Sequence, residues 1–69
     1  MLDNIQIMGK VTIKDLRKLS GLSQKEFAKL VNIPYTSYRR YERNASKMEV
    51  GKLFQICELT GVSITAIKF

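Results

Sequence analysis

The sequence has no histidine and no tryptophan, and only one cysteine and one proline, Cys57 and Pro34. A single cysteine cannot close an internal disulfide, and without histidine a zinc site has no plausible ligand set. Neither metal nor redox chemistry is therefore supported, and no cofactor is expected. Catalysis lacks candidates too. There is no imidazole, Cys57 falls on an apolar helical face, and the six carboxylates lie mostly at helix-cap positions, with no pair placed in a cleft. No enzymatic activity is expected. Long hydrophobic runs are also missing, so nothing approaches the ~20 apolar residues of a membrane span. The N-terminus has neither the basic nor the apolar region of a signal peptide. The expectation is a cytoplasmic protein with no membrane association.

Acidic residues are scarce: 6 Asp and Glu stand against 12 Lys and Arg, giving a net charge of +6 and a pI near 9.8. That balance fits a protein that approaches a polyanion, and it also fits a solvated cationic surface with no partner. Apolar residues make up 45% of the chain, enough for a folded domain. At 69 residues there is room for one small core and no second domain. The organisation expected is an N-terminal arm or tail over residues 1–10 and a folded domain over 11–69. In the arm, Ile5 and Ile7 alternate with Asn4 and Gln6, which fits a short extended segment ended by Gly9. It either lies loosely on the core or acts as an arm that pairs or dimerises.

From Thr12 the pattern is helical. Thr12 and Asp15 have N-cap and N3 spacing, flanked by Val11 and Leu16 as a hydrophobic staple. Ile13, Leu16 and Leu19 or Ser20 form the expected inner face, with Lys14, Arg17 and Lys18 outside, and Gly21 ends this first helix. The second start is stronger. Ser23 and Glu26 form a capping box and Leu22 with Phe27 a staple, predicting a helix over 24–31 with Phe27, Ala28, Leu30 and Val31 inward. Asn32 then stands at a sharp turn, where it tolerates the left-handed conformation better than most residues. Ile33 is placed to plug the core, and Pro34 suits the opening turn of a third helix over 34–43.

The third helix turns Ser37, Tyr38 and Tyr41 toward its neighbours and gathers Tyr35, Thr36, Arg39, Arg40 and Arg43 on the opposite side. That outer face has nothing apolar to bury. Its aromatic, hydroxyl and guanidinium groups hydrogen-bond with direction, whereas a merely solvated face is well served by Glu, Lys and Ala. After a connector, Ser46 and Glu49 again have capping-box spacing, so a fourth helix starts between them and turns Val50, Leu53, Phe54, Ile56 and Cys57 inward. Gly51 inside it costs roughly 1 kcal/mol against Ala and is expected to mark a close helix approach. Gly61 stops it, and Val62 and Ser63 open a fifth, short helix. The fold class is all-α with five helices. Ile64, Ile67 and Phe69 leave an apolar C-terminus that needs cover, from the domain's own core or from a second copy.

The run Leu-Ser-Gln-Lys-Glu-Phe-Ala-Lys-Leu-Val-Asn-Ile-Pro-Tyr-Thr-Ser-Tyr-Arg-Arg-Tyr-Glu-Arg resembles the helix-turn-helix of the phage Cro and repressor (XRE) family. The resemblance extends over residues 12–67 and includes Leu-Thr-Gly-Val-Ser at 59–63. It implies a lambda-repressor-like domain whose second and third helices form the motif. Gln24 then opens the motif, Ala28 is the small residue where the helices touch, Asn32 takes the usual glycine's place, and Ile33, Tyr38 and Tyr41 take apolar positions. Three features depart from the pattern. Pro34 replaces the more usual cap, two tyrosines replace smaller aliphatics, and the family starts the fourth helix nearer Glu49 than Ser46.

The implied partner is a double-stranded DNA operator, with the third helix in the major groove. Tyr35, Thr36, Arg39 and Arg40 are then nearest the base edges, and Arg40 is suited to a guanine. Gln24, with the N–H groups at the start of its helix, and Ser37, Arg43, Asn44, Ser46 and Lys47 are placed for phosphates. Lys14 and Lys25 are left to solvent. A homodimer, at least on DNA, is expected through Ile64, Ile67 and Phe69. Two functions follow: a transcriptional regulator on a palindromic operator, or a protein-interaction module of the same fold, such as an antirepressor or antitoxin-like partner.

Overall fold

The computed structural model describes residues 9–68. Residues 1–8 of the expected arm over 1–10, and Phe69, lie outside the described residues. Four α-helices follow in order: α1 (Ile13–Ser20), α2 (Gln24–Leu30), α3 (Tyr35–Arg43) and α4 (Val50–Thr60), with 3-10 turns at Ala45–Lys47 and Ile64–Ala66.

The local signals explain the first two helices. The Thr12 hydroxyl accepts the Asp15 N–H at 3.0 Å. The Ser23 and Glu26 capping box closes in both directions, at 3.1 and 2.9 Å. The Glu26 carboxyl is held below its usual range, chiefly by the Ser23 backbone N–H. Asn32 takes φ +58°, the left-handed step that lets α3 leave α2 at a sharp angle. Two bonds from α4 secure this turn: Gln55 Nε2 donates to the Val31 and Asn32 carbonyls at 2.6 and 2.9 Å. These satisfy carbonyls at the end of α2 that have no helical partner.

Phe27, Ala28, Val31 and Ile33 meet Ile13, Leu16, Tyr38, Tyr41, Leu53 and Ile56 in one core. Both tyrosines lie within this core. Tyr38 is fully buried, its ring 5.5 Å from that of Phe27.

Several expectations need correction. Leu19 is 56% exposed, and Arg17 is half-buried in its stead; the inner stripe of α1 runs 13, 16, 17, 20, the i, i+3, i+4, i+7 pattern of one helix face. Leu30 is only partly buried. The capping-box start at Ser46 does not form, its hydroxyl donating to Asn44 Oδ1 instead, and the fourth helix starts at Val50 after Glu49, where the resemblance places it. Val50 and Phe54 are exposed, the latter 52%, so the apolar face of α4 narrows to Leu53, Ile56 and Cys57. Gly51 marks no close approach, since a Cβ there would meet nothing within 4 Å.

The fifth helix is replaced by the single 3-10 turn Ile64–Ala66. Its physical reason is the return of the chain to Val11: Val11 N–H donates to the Ala66 carbonyl at 2.8 Å, and Lys68 N–H donates to the Val11 carbonyl at 2.7 Å. Ile67 is extended there and pairs with Val11 in an isolated parallel bridge. Ile67 is also 4% exposed within the core, which removes it from any dimer surface. Ile64 remains partly exposed.

Candidate nucleic-acid interface

Nine residues of α3 divide into two faces. Tyr38, Tyr41 and Glu42 turn inward, while Tyr35, Thr36, Arg39, Arg40 and Arg43 are all exposed. Ser37 lies between them, half-buried. The Arg39 guanidinium stands 5.5 Å from the Tyr35 ring centroid, one turn earlier, and that of Arg40 stands 5.9 Å from the Tyr41 ring. Cation–π contact of this kind restrains a long side chain without consuming its hydrogen-bond donors. Both arginines thus stand partly ordered and able to donate.

What keeps this face cationic is a polar cluster that sequence patterning did not reveal. Glu42 is the acidic residue of α3, and its side chain is 4% exposed. Arg17 Nε and Nη2 donate to its two oxygens at 2.7 and 3.2 Å. Tyr38 Oη donates at 2.6 Å and Gln24 Nε2 at 3.0 Å. Arg17 also donates to the Leu22 carbonyl at 3.0 Å, so one side chain of α1 ties together the loop before α2 and the inner edge of α3. Burial alone would raise the Glu42 carboxyl, but the hydrogen bonds from Arg17, Tyr38 and Gln24 outweigh it and hold the group below its ordinary value. The same pairing raises Arg17, chiefly through its hydrogen bond to Glu42. Burial, followed by the bond to Glu42, pushes the Tyr38 phenol well up. A buried carboxylate with four donors is satisfied, and no buried side-chain polar atom among the described residues lacks a partner.

The remaining sequence-derived site residues fall in two places. Gln24 is half-buried, and its amide is engaged with Glu42, so it is part scaffold. Arg43, Asn44, Ser46 and Lys47 are exposed at the far end of α3 and in the turn beyond, where Ser46 and Asn44 bond each other at 2.6 Å. Pro34 precedes α3 without any side-chain cap. Arg17, Glu42 and Gln55 are the residues that sequence reading missed. Arg17 could have been found from the helical stripe, whereas the Arg17–Glu42 partnership spans 25 positions and leaves no local trace.

Beyond the interface, burial raises the Cys57 thiol. No group of three or more His, Cys, Asp or Glu side chains among the described residues is placed to hold a metal ion. No helix among them is long and apolar enough to cross a membrane.

The helix-turn-helix family matches residues 13–67. Antitoxin PezA of Streptococcus pneumoniae is 39% identical over 61 residues, covering 88% of this chain. The chain spans 38% of that relative's length. No solved structure gives a significant match.

Proposed function

The chain belongs to the XRE-type helix-turn-helix family of DNA-binding regulators, and we propose that it is a sequence-specific transcriptional regulator of the phage repressor or Cro type, acting by binding and without catalysis. In this reading α3 enters the major groove of a palindromic operator. Tyr35, Thr36, Arg39 and Arg40 approach base edges, and Ser37, Arg43, Asn44, Ser46 and Lys47 approach the backbone. Gln24 joins them from the start of α2. Two copies bind half-sites about 34 Å apart, one helical turn.

The observation that supports this most is the inward turn of Glu42. With that carboxylate consumed by Arg17, Tyr38 and Gln24, the outer face of α3 carries three arginines and no acid. Such a face is attracted to phosphate and repelled by basic protein surfaces. Selection of bound duplexes from a random library is expected to return a palindrome. Equal affinity for all sequences would overturn the specific part of the reading.

A second reading, a protein-interaction module of the same fold, is favoured by the relative's being an antitoxin and by exposed Phe54 and Ile64. It expects selection to return no consensus and Arg40→Ala to leave binding of the protein partner unchanged.

A further inference from the structure

Beside the reading face lies a cleft of about 270 Å³ lined by Lys14, Gln24, Arg39, Glu42 and Arg43. It brings together α1, the start of α2 and the C-terminal half of α3. Lys14 is the unexpected member, because helical patterning places it on the solvent side of α1, and it is indeed exposed. Exposure does not leave it isolated: the fold sets it in one cleft with Arg39 and Arg43, which come from a helix far along the chain.

The charges in this cleft are unbalanced in one direction. Lys14, Arg39 and Arg43 contribute three positive charges, while the one carboxylate, Glu42, is already paired with Arg17 at 2.7 Å behind the floor. Arg17–Glu42 is the ion pair found among the described residues, and none of these residues forms an ion pair with the three outer cations. Like charges converging on one open concavity repel, and an anion entering from solvent relieves that repulsion. The floor also supplies direction, since Glu42 accepts from the Gln24 amide and so fixes that side chain at the cleft wall.

We propose that this cleft seats one backbone phosphate of the bound duplex, with Lys14 as a direct phosphate contact and Glu42 as a positioning residue acting through Gln24. This rests on the DNA-binding reading. It also distinguishes the two arginines: Arg39 lines the cleft and adds a backbone contact to its place on the reading face, whereas Arg40 is absent from the cleft and is left to the bases. A phosphate contact carries no sequence information, so its signature is the salt dependence of binding.

The test is a fluorescence titration of the full chain with a labelled duplex of arbitrary sequence, about two helical turns long, over a series of salt concentrations. Each phosphate neutralised contributes about −0.9 to the slope of log affinity against log salt. Lys14→Ala is expected to reduce the slope by about that amount, so that a fourfold rise in salt weakens the variant roughly 3.5-fold less than wild type. Lys14→Arg should restore the slope. Lys18→Ala, on the same helix but outside the cleft, should match wild type. A Lys14→Ala slope equal to wild type, with Arg43→Ala lowered, overturns the Lys14 assignment and leaves DNA binding standing. Absence of wild-type binding to any duplex overturns both.

Discussion

The two faces of α3 are built on opposite terms. On the inner edge Tyr38, Tyr41 and Glu42 are buried, and Tyr38 and Glu42 are bonded to each other and to the Arg17 cluster. On the outer face Tyr35, Thr36, Arg39 and Arg40 are exposed, and the two arginines are held only by ring contacts. Substitution on the first should therefore be read in stability and on the second in binding. A helix nine residues long is marginal alone, so its outer face can be given over to recognition only because the inner edge fixes its position.

The sharpest way to break this division is Glu42→Ala. It leaves the Arg17 guanidinium, 15% exposed, without its carboxylate, and loss of one partner of a buried pair costs about 3–5 kcal/mol. Chemical denaturation is expected to show that loss, and a change under 1 kcal/mol would contradict the role given to the cluster. The same residue sets a pH response. Its folded carboxyl lies below its unfolded value of about 4.3, so the charged form stabilises the fold above that pH. The stabilisation is lost as acid takes the carboxyl down through its lowered folded value. Glu42→Gln should lose that part of the acid limb of a stability–pH curve.

Tyr38→Phe keeps the buried ring and removes one bond to a charged group, an expected loss of about 1.5–3 kcal/mol, again visible in denaturation. Arg40→Ala crosses to the other face. It should change stability by no more than about 0.5 kcal/mol while costing about 1–3 kcal/mol of discrimination at one base pair, measured by competition between operator variants. A melting shift of several degrees in that variant would blur the two faces. The smallest effect belongs to Lys47→Ala, beyond the end of α3, which should weaken all sequences alike and lower the salt slope by about 0.9.

The backbone of the motif was legible because its signals are local. A capping box needs only the side chains of Ser23 and Glu26, and the turn needs only Asn32's tolerance of positive φ; both are present. The outer residues of α3 were legible for the same reason, since periodicity alone assigns them a side. Non-local pairing decides the rest. Arg17 looked solvated because its partner lies on another helix. Lys14 looked solvated because the arginines opposite it come from later in the chain. Ser46 satisfied a capping pattern but found Asn44 closer, and the fifth helix gave way to a pairing with Val11 that spans nearly the whole domain. Propensity competes poorly with such contacts once the core is assembled.

The clasp between Val11 and the segment around Ile67 makes the domain, in effect, a ring closed by two hydrogen bonds. Tension drawn between the two ends pulls these parallel segments in opposite directions and loads both bonds together, in shear, before it reaches the Arg17–Glu42 centre. The domain should therefore yield mechanically at its seam before its recognition helix is disturbed. A covalent join across the seam would turn the weakest point under force into part of an unbroken loop, with α3 unmoved.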